Sequence, residues 1–200
     1  MAKDLAALAD IMAPKGFRIA YENWCWATHA STWNAIWEIA KMTDCSNVGL
    51  CLDTFQSAGG EYGDPTTESG LIGGMGKAHL DKQWQRSMKE LEETLPADKI
   101  FLFQISDAYK MDPPLDPVKE KNRPRSKWSH AQRPLPFDGG YLPIQDFLDA
   151  VLRTGFRGYL SIEVFDSGDK EGMPLSDYTT LAMEALKRLL LNSAPADYPH

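Results

Sequence analysis

At 200 residues the chain is long enough for one domain with a substantial core, and 43% hydrophobic against 24% charged residues excludes a disordered or fibrous protein. A formal net charge of −7 argues against nucleic acid as a partner: phosphate binding needs a basic footprint, and the one basic cluster, Lys119 to Lys127, lies in a proline-flanked stretch. Cys25, Cys45 and Cys51 form no C-x-x-C pair, and the apolar N-terminal stretch is interrupted by acids, so neither a disulfide framework, a zinc knuckle, a signal peptide nor a membrane span is expected, and the chain reads as cytoplasmic.

The chain begins with a helix. Leu5, Leu8, Ala9 and Met12 recur at i, i+3, i+4 and i+7, and Pro14 with Gly16 ends the pattern. Phe17 to Tyr21 is a first strand, followed by the aromatic loop of Trp24 and Trp26. Ser31 or Thr32 caps a helix whose stripe is Trp33, Ile36, Trp37 and Ala40. Val48 to Leu52 is apolar without alternation, the mark of a strand buried on both faces. From Ser57 to Lys77 seven glycines predict a long loop. Leu80, Trp84, Met88 and Leu91 then mark a helix, Ile100 to Phe103 a third strand, and Ser106 to Gly140 a second long loop. Phe147, Leu148, Val151 and Leu152 form the buried face of a helix closed by Gly155. Tyr159 to Ile162 is the fourth strand, and Tyr178 to Leu189 the last amphipathic helix.

One helix followed by four strand–helix repeats predicts an α/β fold built on a parallel sheet with right-handed crossovers. Ligands then belong at the C-terminal ends of the strands, where both long loops emerge. Each of the four strands ends in an oxygen donor: Glu22, Asp53, Gln104 and Glu163. Carboxylates brought together repel one another unless a cation neutralises them, and all-oxygen ligation suits Mg²⁺ or Mn²⁺, with Co²⁺ as a further candidate. Such an ion would polarise a substrate carbonyl.

Three segments bring a resemblance into view: Tyr21-Glu22-Asn23, the run from Gly49 to Thr66 (GLCLDTFQSAGGEYGDPT), and Gly158 to Phe165 (GYLSIEVF). Together they resemble the sugar phosphate isomerase/epimerase superfamily with the xylose isomerase-like TIM barrel, and within it the 3-dehydroshikimate dehydratases of fungal quinate catabolism. The resemblance implies a divalent metal on Glu22, Asp53, Gln104 and Glu163, with Gln104 standing where sugar epimerases usually carry His. It implies loss of water from 3-dehydroshikimate to give protocatechuate, with Glu22 and Glu163 taking part. The segment Trp128 to Pro136 resembles the family's substrate loop, so Arg133 is expected to meet the substrate carboxylate, with Ser129, Gln56 and Trp24 as further substrate contacts. Family members commonly place His three residues after the Asp ligand; this chain has Gln56, which is no base, and His29 is the best remaining imidazole.

A barrel of this type needs eight strands and about 250 residues. The reading is therefore a half-barrel of four strands preceded by one helix: residues 1–192 as the C-terminal half of the barrel and 193–200 as a tail. A homodimer, or a missing N-terminal half-barrel, would complete it. The expected partner is a small-molecule substrate. The alternatives are a sugar isomerase or epimerase of the same superfamily, and a truncated, non-catalytic half-barrel that binds a metal or a partner chain.

Overall fold

The computed structural model describes residues 1–74, 76–121, 123–166 and 172–193. Helix α1 (Ala2–Met12) stops where expected, at a 3₁₀ turn holding Pro14 and at Gly16, whose φ of 72° is left-handed backbone that glycine adopts without a Cβ clash. Strand β1 (Ile19–Glu22) leads to α2 (Trp33–Lys41), capped by Thr32 Oγ1, which accepts the Ala35 N–H at 3.2 Å. Strand β2 (Val48–Asp53) then runs directly into α3 (Thr54–Glu61). After α4 (Lys77–Thr94) come β3 (Ile100–Ile105), α5 (Pro124–Ala131), β4 (Gln132–Arg133) and α6 (Ile144–Arg153). Strand β5 (Leu160–Ile162), β6 (Phe165–Asp166) and α7 (Leu175–Asn192) complete the described chain.

The four predicted strands are those of one parallel sheet, in the order β1-β2-β3-β5. β2 is its centre: all six residues are buried, as its unbroken apolar run requires. Gly49 is needed there because a Cβ would meet the Lys99 carbonyl oxygen at 2.5 Å and the Phe101 ring at 2.7 Å. The helices cover the sheet with an aromatic core in which Phe147 of α6 stacks on Trp84 of α4 at 6.1 Å and meets Phe103 of β3 at 5.9 Å. β1 and β5 are the outer strands, and no closed barrel forms among the described residues.

The structure corrects the sequence reading in the connections. The first predicted loop starts as a helix, because the Asp53 side chain caps it. The second contains α5 and then β4, which pairs antiparallel with β6 and adds a two-stranded ribbon above the sheet. The first strand begins two residues late, leaving Phe17 60% exposed, and the third extends to Ile105. α7 ends at Asn192 with Ser193 as its C-cap; the rest of the predicted tail lies outside the described residues.

Candidate active site

The parallel register sets the candidate residues side by side at one end of the sheet. Glu22 is level with Cys51, Asp53 with Gln104, and Gln104 with Ser161, two residues before Glu163. The Glu163 N–H donates to the Ile105 carbonyl at 3.0 Å, which ties the acid to the end of β3. As a result Glu22, Asp53 and Glu163 each offer a carboxylate oxygen within 4.8 Å of the others. Gln104, buried beside them, accepts a hydrogen bond from the Cys51 thiol at 2.6 Å.

Asp53 is fully buried and has two tasks. Its Oδ1 accepts the N–H groups of Phe55 at 2.7 Å and Gln56 at 3.3 Å, the N-cap of α3. Its Oδ2 accepts from Arg133 Nη2 at 2.5 Å, and the same nitrogen donates to Glu163 Oε2 at 2.6 Å. Arg133 is only 1% exposed. Its Nε donates to Ser106 Oγ at 2.6 Å, and its guanidinium lies 4.5 Å from the Phe55 ring centre and 5.2 Å from that of Phe165. The β4–β6 ribbon explains the placement, since Arg133 is paired directly with Phe165 across it. Thr54 fastens the floor, exchanging hydrogen bonds with the backbone of Ser106 at 2.5 and 2.8 Å.

The electrostatics follow from burial and crowding. Three carboxylates face one guanidinium. Burial, with the charges of Asp53 and Glu163, pushes Glu22 up to about 7 against the pull of Arg133. Burial likewise raises Asp53 to about 6, with Arg133 opposing it. Burial and the three nearby acids hold the Cys51 thiol far above its ordinary range, so it stays protonated and serves as a donor to Gln104. The donor set is hard oxygen throughout, with negative charge in excess of the guanidinium, and it fits a divalent cation.

Other predicted residues lie around this centre. Gln56 is buried, and its Oε1 accepts the Cys25 N–H at 3.0 Å, fixing the loop after β1 onto α3. Ser129, buried on α5, lies 3.4 Å from Arg133 Nη1. Trp24 is 54% exposed and stacks on Trp26 at 5.3 Å. A cleft of about 810 Å³ opens beside that loop, lined by Cys25, Trp26, Thr28, Asp64 and Arg125 among others. His29, next to Thr28, is exposed, and no hydrogen bond, ion pair or ring contact joins it to the carboxylates among the described residues. Sequence reasoning missed Ser106 and the hydrogen bond from the Cys51 thiol to Gln104. The buried position of Cys51 within β2, level with Glu22, was the available signal.

A profile of the xylose isomerase-like TIM barrel family matches residues 1–189. The chain is 33% identical over 181 residues to a 3-dehydroshikimate dehydratase of Neurospora crassa, a match covering 86% of this chain and 49% of the relative. It is 32% identical over 168 residues to a 3-dehydroshikimate dehydratase of Pseudomonas aeruginosa, covering 84% of this chain and 21% of that one. The chain thus spans about half the length of one curated relative and about a fifth of the other. Among solved structures, a xylose isomerase-like TIM barrel/4-hydroxyphenylpyruvate dioxygenase fusion protein superposes with a TM-score of 0.71 at 26% identity, over 96% of this chain and 25% of that one. The IOLI protein, whose structure has a bound zinc atom, superposes with a TM-score of 0.68 at 20% identity, over 96% of this chain and 56% of that one.

Proposed function

Because the chain belongs to the xylose isomerase-like TIM barrel family, we propose that it is a metal-dependent lyase that removes water from 3-dehydroshikimate to give protocatechuate. The observation that carries this reading is the convergence of Glu22, Asp53 and Glu163 within 4.8 Å, at the strand ends where such folds work, with a buried arginine among them. The likeness to the two dehydratases, at 33% and 32% identity, supports this choice of substrate.

In this reading Glu22, Asp53, Gln104 and Glu163 hold a divalent ion, Mg²⁺ or Mn²⁺. When bound, the ion supplies Lewis-acid polarisation of the substrate ketone. Arg133 receives the substrate carboxylate, which a guanidinium can bind through two parallel hydrogen bonds, and Ser129 steadies that arginine. Proton removal beside the ketone falls to Glu22 or to His29. Glu22 is the carboxylate that the Arg133 hydrogen bonds leave out, whereas His29 faces solvent, and this contrast favours Glu22. Trp24 and Gln56 border the approach.

A second reading is a half-barrel without turnover. What favours it is the open sheet: among the described residues β1 and β5 each have a free side, and Phe17 and Tyr159, just ahead of them, are 60% and 87% exposed. A complete barrel takes a second four-strand unit, from another copy of the chain or from an N-terminal half.

The test is direct. Purified protein given Mn²⁺ or Mg²⁺ is expected to convert 3-dehydroshikimate to an aromatic product that absorbs in the near ultraviolet. Glu22→Gln should abolish the signal and His29→Ala should preserve it. Folded protein that binds metal yet makes no product would establish the second reading instead.

A further inference from the structure

We propose that the cleft beside the loop after β1 is a second ligand site, built for a small aromatic carboxylate that carries ring hydroxyls. It is separate from the carboxylate centre: none of Glu22, Asp53, Gln104, Glu163 and Arg133 is among the residues that wall it.

The cleft is preformed. Three segments far apart in sequence meet there: Cys25 to Ser31 after β1, Asp64 to Thr66 after α3, and the stretch from Pro117 into the start of α5. Asn23 Nδ2 donates to the Ser31 carbonyl at 3.1 Å and the Cys25 N–H to Gln56 Oε1 at 3.0 Å, so the first wall is fixed near both ends. Gly60 lets that wall lie directly on α3, since a Cβ there would meet the Ser31 carbonyl oxygen at 2.6 Å. Arg125 ties α5 to the other side. Its Nη1 donates to the carbonyls of Gly59 and Gly63 at 2.5 and 2.7 Å, and its Nη2 lies 3.3 Å from Asp64 Oδ2. Asp64 Oδ1 in turn accepts the Thr66 N–H at 2.9 Å and its hydroxyl at 2.7 Å. A cavity of about 810 Å³ held in this way encloses a small molecule without first having to be ordered.

The groups left over define the ligand. Arg125 and Asp64 neutralise each other, but Arg123 has no ion pair among the described residues. The cleft therefore carries one unmatched positive charge in a chain of net charge −7. A guanidinium takes a carboxylate through two parallel hydrogen bonds, which makes that group the natural partner of Arg123. The hydroxyls of Thr28 and Ser31 line the same cleft and have no hydrogen-bond partner among the described residues. Trp26, Pro117 and Pro124 supply apolar surface. A hydroxylated aromatic acid uses all of these groups at once. An inorganic anion would leave the apolar wall uncovered, and an apolar ring would leave the arginine unmatched. The aromatic product of the reaction proposed above belongs to this class, and that link alone rests on the proposed reaction.

The test is titration calorimetry in metal-free buffer, with 3,4-dihydroxybenzoate and inorganic phosphate as probes, on wild type, Arg123→Ala, Trp26→Leu and Glu22→Gln, each shown to be folded by circular dichroism. Wild type should bind one equivalent of 3,4-dihydroxybenzoate. Arg123 is exposed, so its replacement should leave the fold intact and weaken binding roughly tenfold or more, the loss of a charge-assisted hydrogen bond. Trp26→Leu should weaken it about threefold, and phosphate should bind about tenfold more weakly than the aromatic acid. Glu22→Gln should bind as wild type does. If Trp26→Leu fails to fold, Arg123→Ala decides. No binding by wild type, or an affinity that Arg123→Ala leaves unchanged, overturns the site. Phosphate bound as tightly as the aromatic acid overturns the ligand class. Binding lost in Glu22→Gln but kept in Arg123→Ala places the ligand at the carboxylate centre and overturns the proposal as well. A protein that binds as expected but turns nothing over keeps this site and refutes only the reaction.

Discussion

The double duty of Asp53 makes a prediction in which stability and metal binding separate. Asp53→Asn keeps an oxygen in place of Oδ1, so the cap on Phe55 and Gln56 survives, but it puts an amide where Arg133 needs an acceptor. Burial raises Asp53 to about 6 against the pull of Arg133, so at pH 8 its ionised form carries a cost that the neutral amide does not, and Asp53→Asn is expected to be at least as stable as wild type. Asp53→Ala removes the cap as well, a loss of about 1 kcal/mol. Urea denaturation at pH 8 in metal-free buffer should therefore place Asp53→Ala about 1 kcal/mol below Asp53→Asn, with Asp53→Asn at or above wild type. Added Mn²⁺ should raise the melting temperature of the wild type and of neither variant. The reasoning fails if Asp53→Asn is clearly less stable than wild type at pH 8, since a carboxyl held above its ordinary pKa gains no stability by ionising. It fails equally if the two variants coincide, because the cap would then contribute nothing.

Two further outcomes follow from groups away from the carboxylate centre. Glu61, at the end of α3, is raised from 4.5 to about 7, chiefly by burial; its Oε2 accepts from Ser87 Oγ at 2.5 Å and its Oε1 has no hydrogen-bond partner among the described residues. A folded pKa above the unfolded one means that stability is fully present below pH 4.5 and is lost as pH rises through about 7, by roughly 3 kcal/mol at about 1.36 kcal/mol per pH unit. Glu61→Gln should thus match wild type near pH 4.5 in thermal denaturation and exceed it at pH 8; a difference that does not change with pH would refute the assignment. For assembly, light scattering is expected to give twice the mass of a single chain, and a lone stable monomer would contradict closure by a second copy.

The parallel sheet was legible because a buried parallel strand announces itself: Val48 to Leu52 is apolar at every position, and no half-exposed strand reads that way. The donors at the strand ends were legible for the same reason, since a polar residue that ends such a run has to emerge at the mouth of the sheet. What was not legible is long in sequence and short in space. Arg133 lies 80 residues from Asp53, and the resemblance of its segment to a substrate loop names it as a site residue without showing that its guanidinium turns onto Asp53 and Glu163. The inward turn comes from the β4–β6 pairing, two residues on each side and far too short to leave a period. α3 was hidden by its own composition, because Gly59 and Gly60 lower helix propensity while the feature that starts the helix, the Asp53 cap, had been assigned to the site instead.

That last misreading has a physical lesson. A carboxylate at the end of a parallel strand can serve as a helix cap or as a ligand, and its two oxygens allow it to be both. Oδ1, bound to backbone, fixes the orientation of the carboxylate relative to the sheet; Oδ2 is thereby aimed at the space it shares with Glu22 and Glu163. The cap is what pre-organises the site, since a side chain held by two backbone N–H groups has no rotamer freedom left to lose when a cation arrives. Glu22 and Glu163 are only partly buried and hold no helix cap of this kind among the described residues, so Asp53 is the fixed point about which the other two adjust. A cation bound here, whether guanidinium or metal, therefore reports on the folding of α3 as directly as on the chemistry above it.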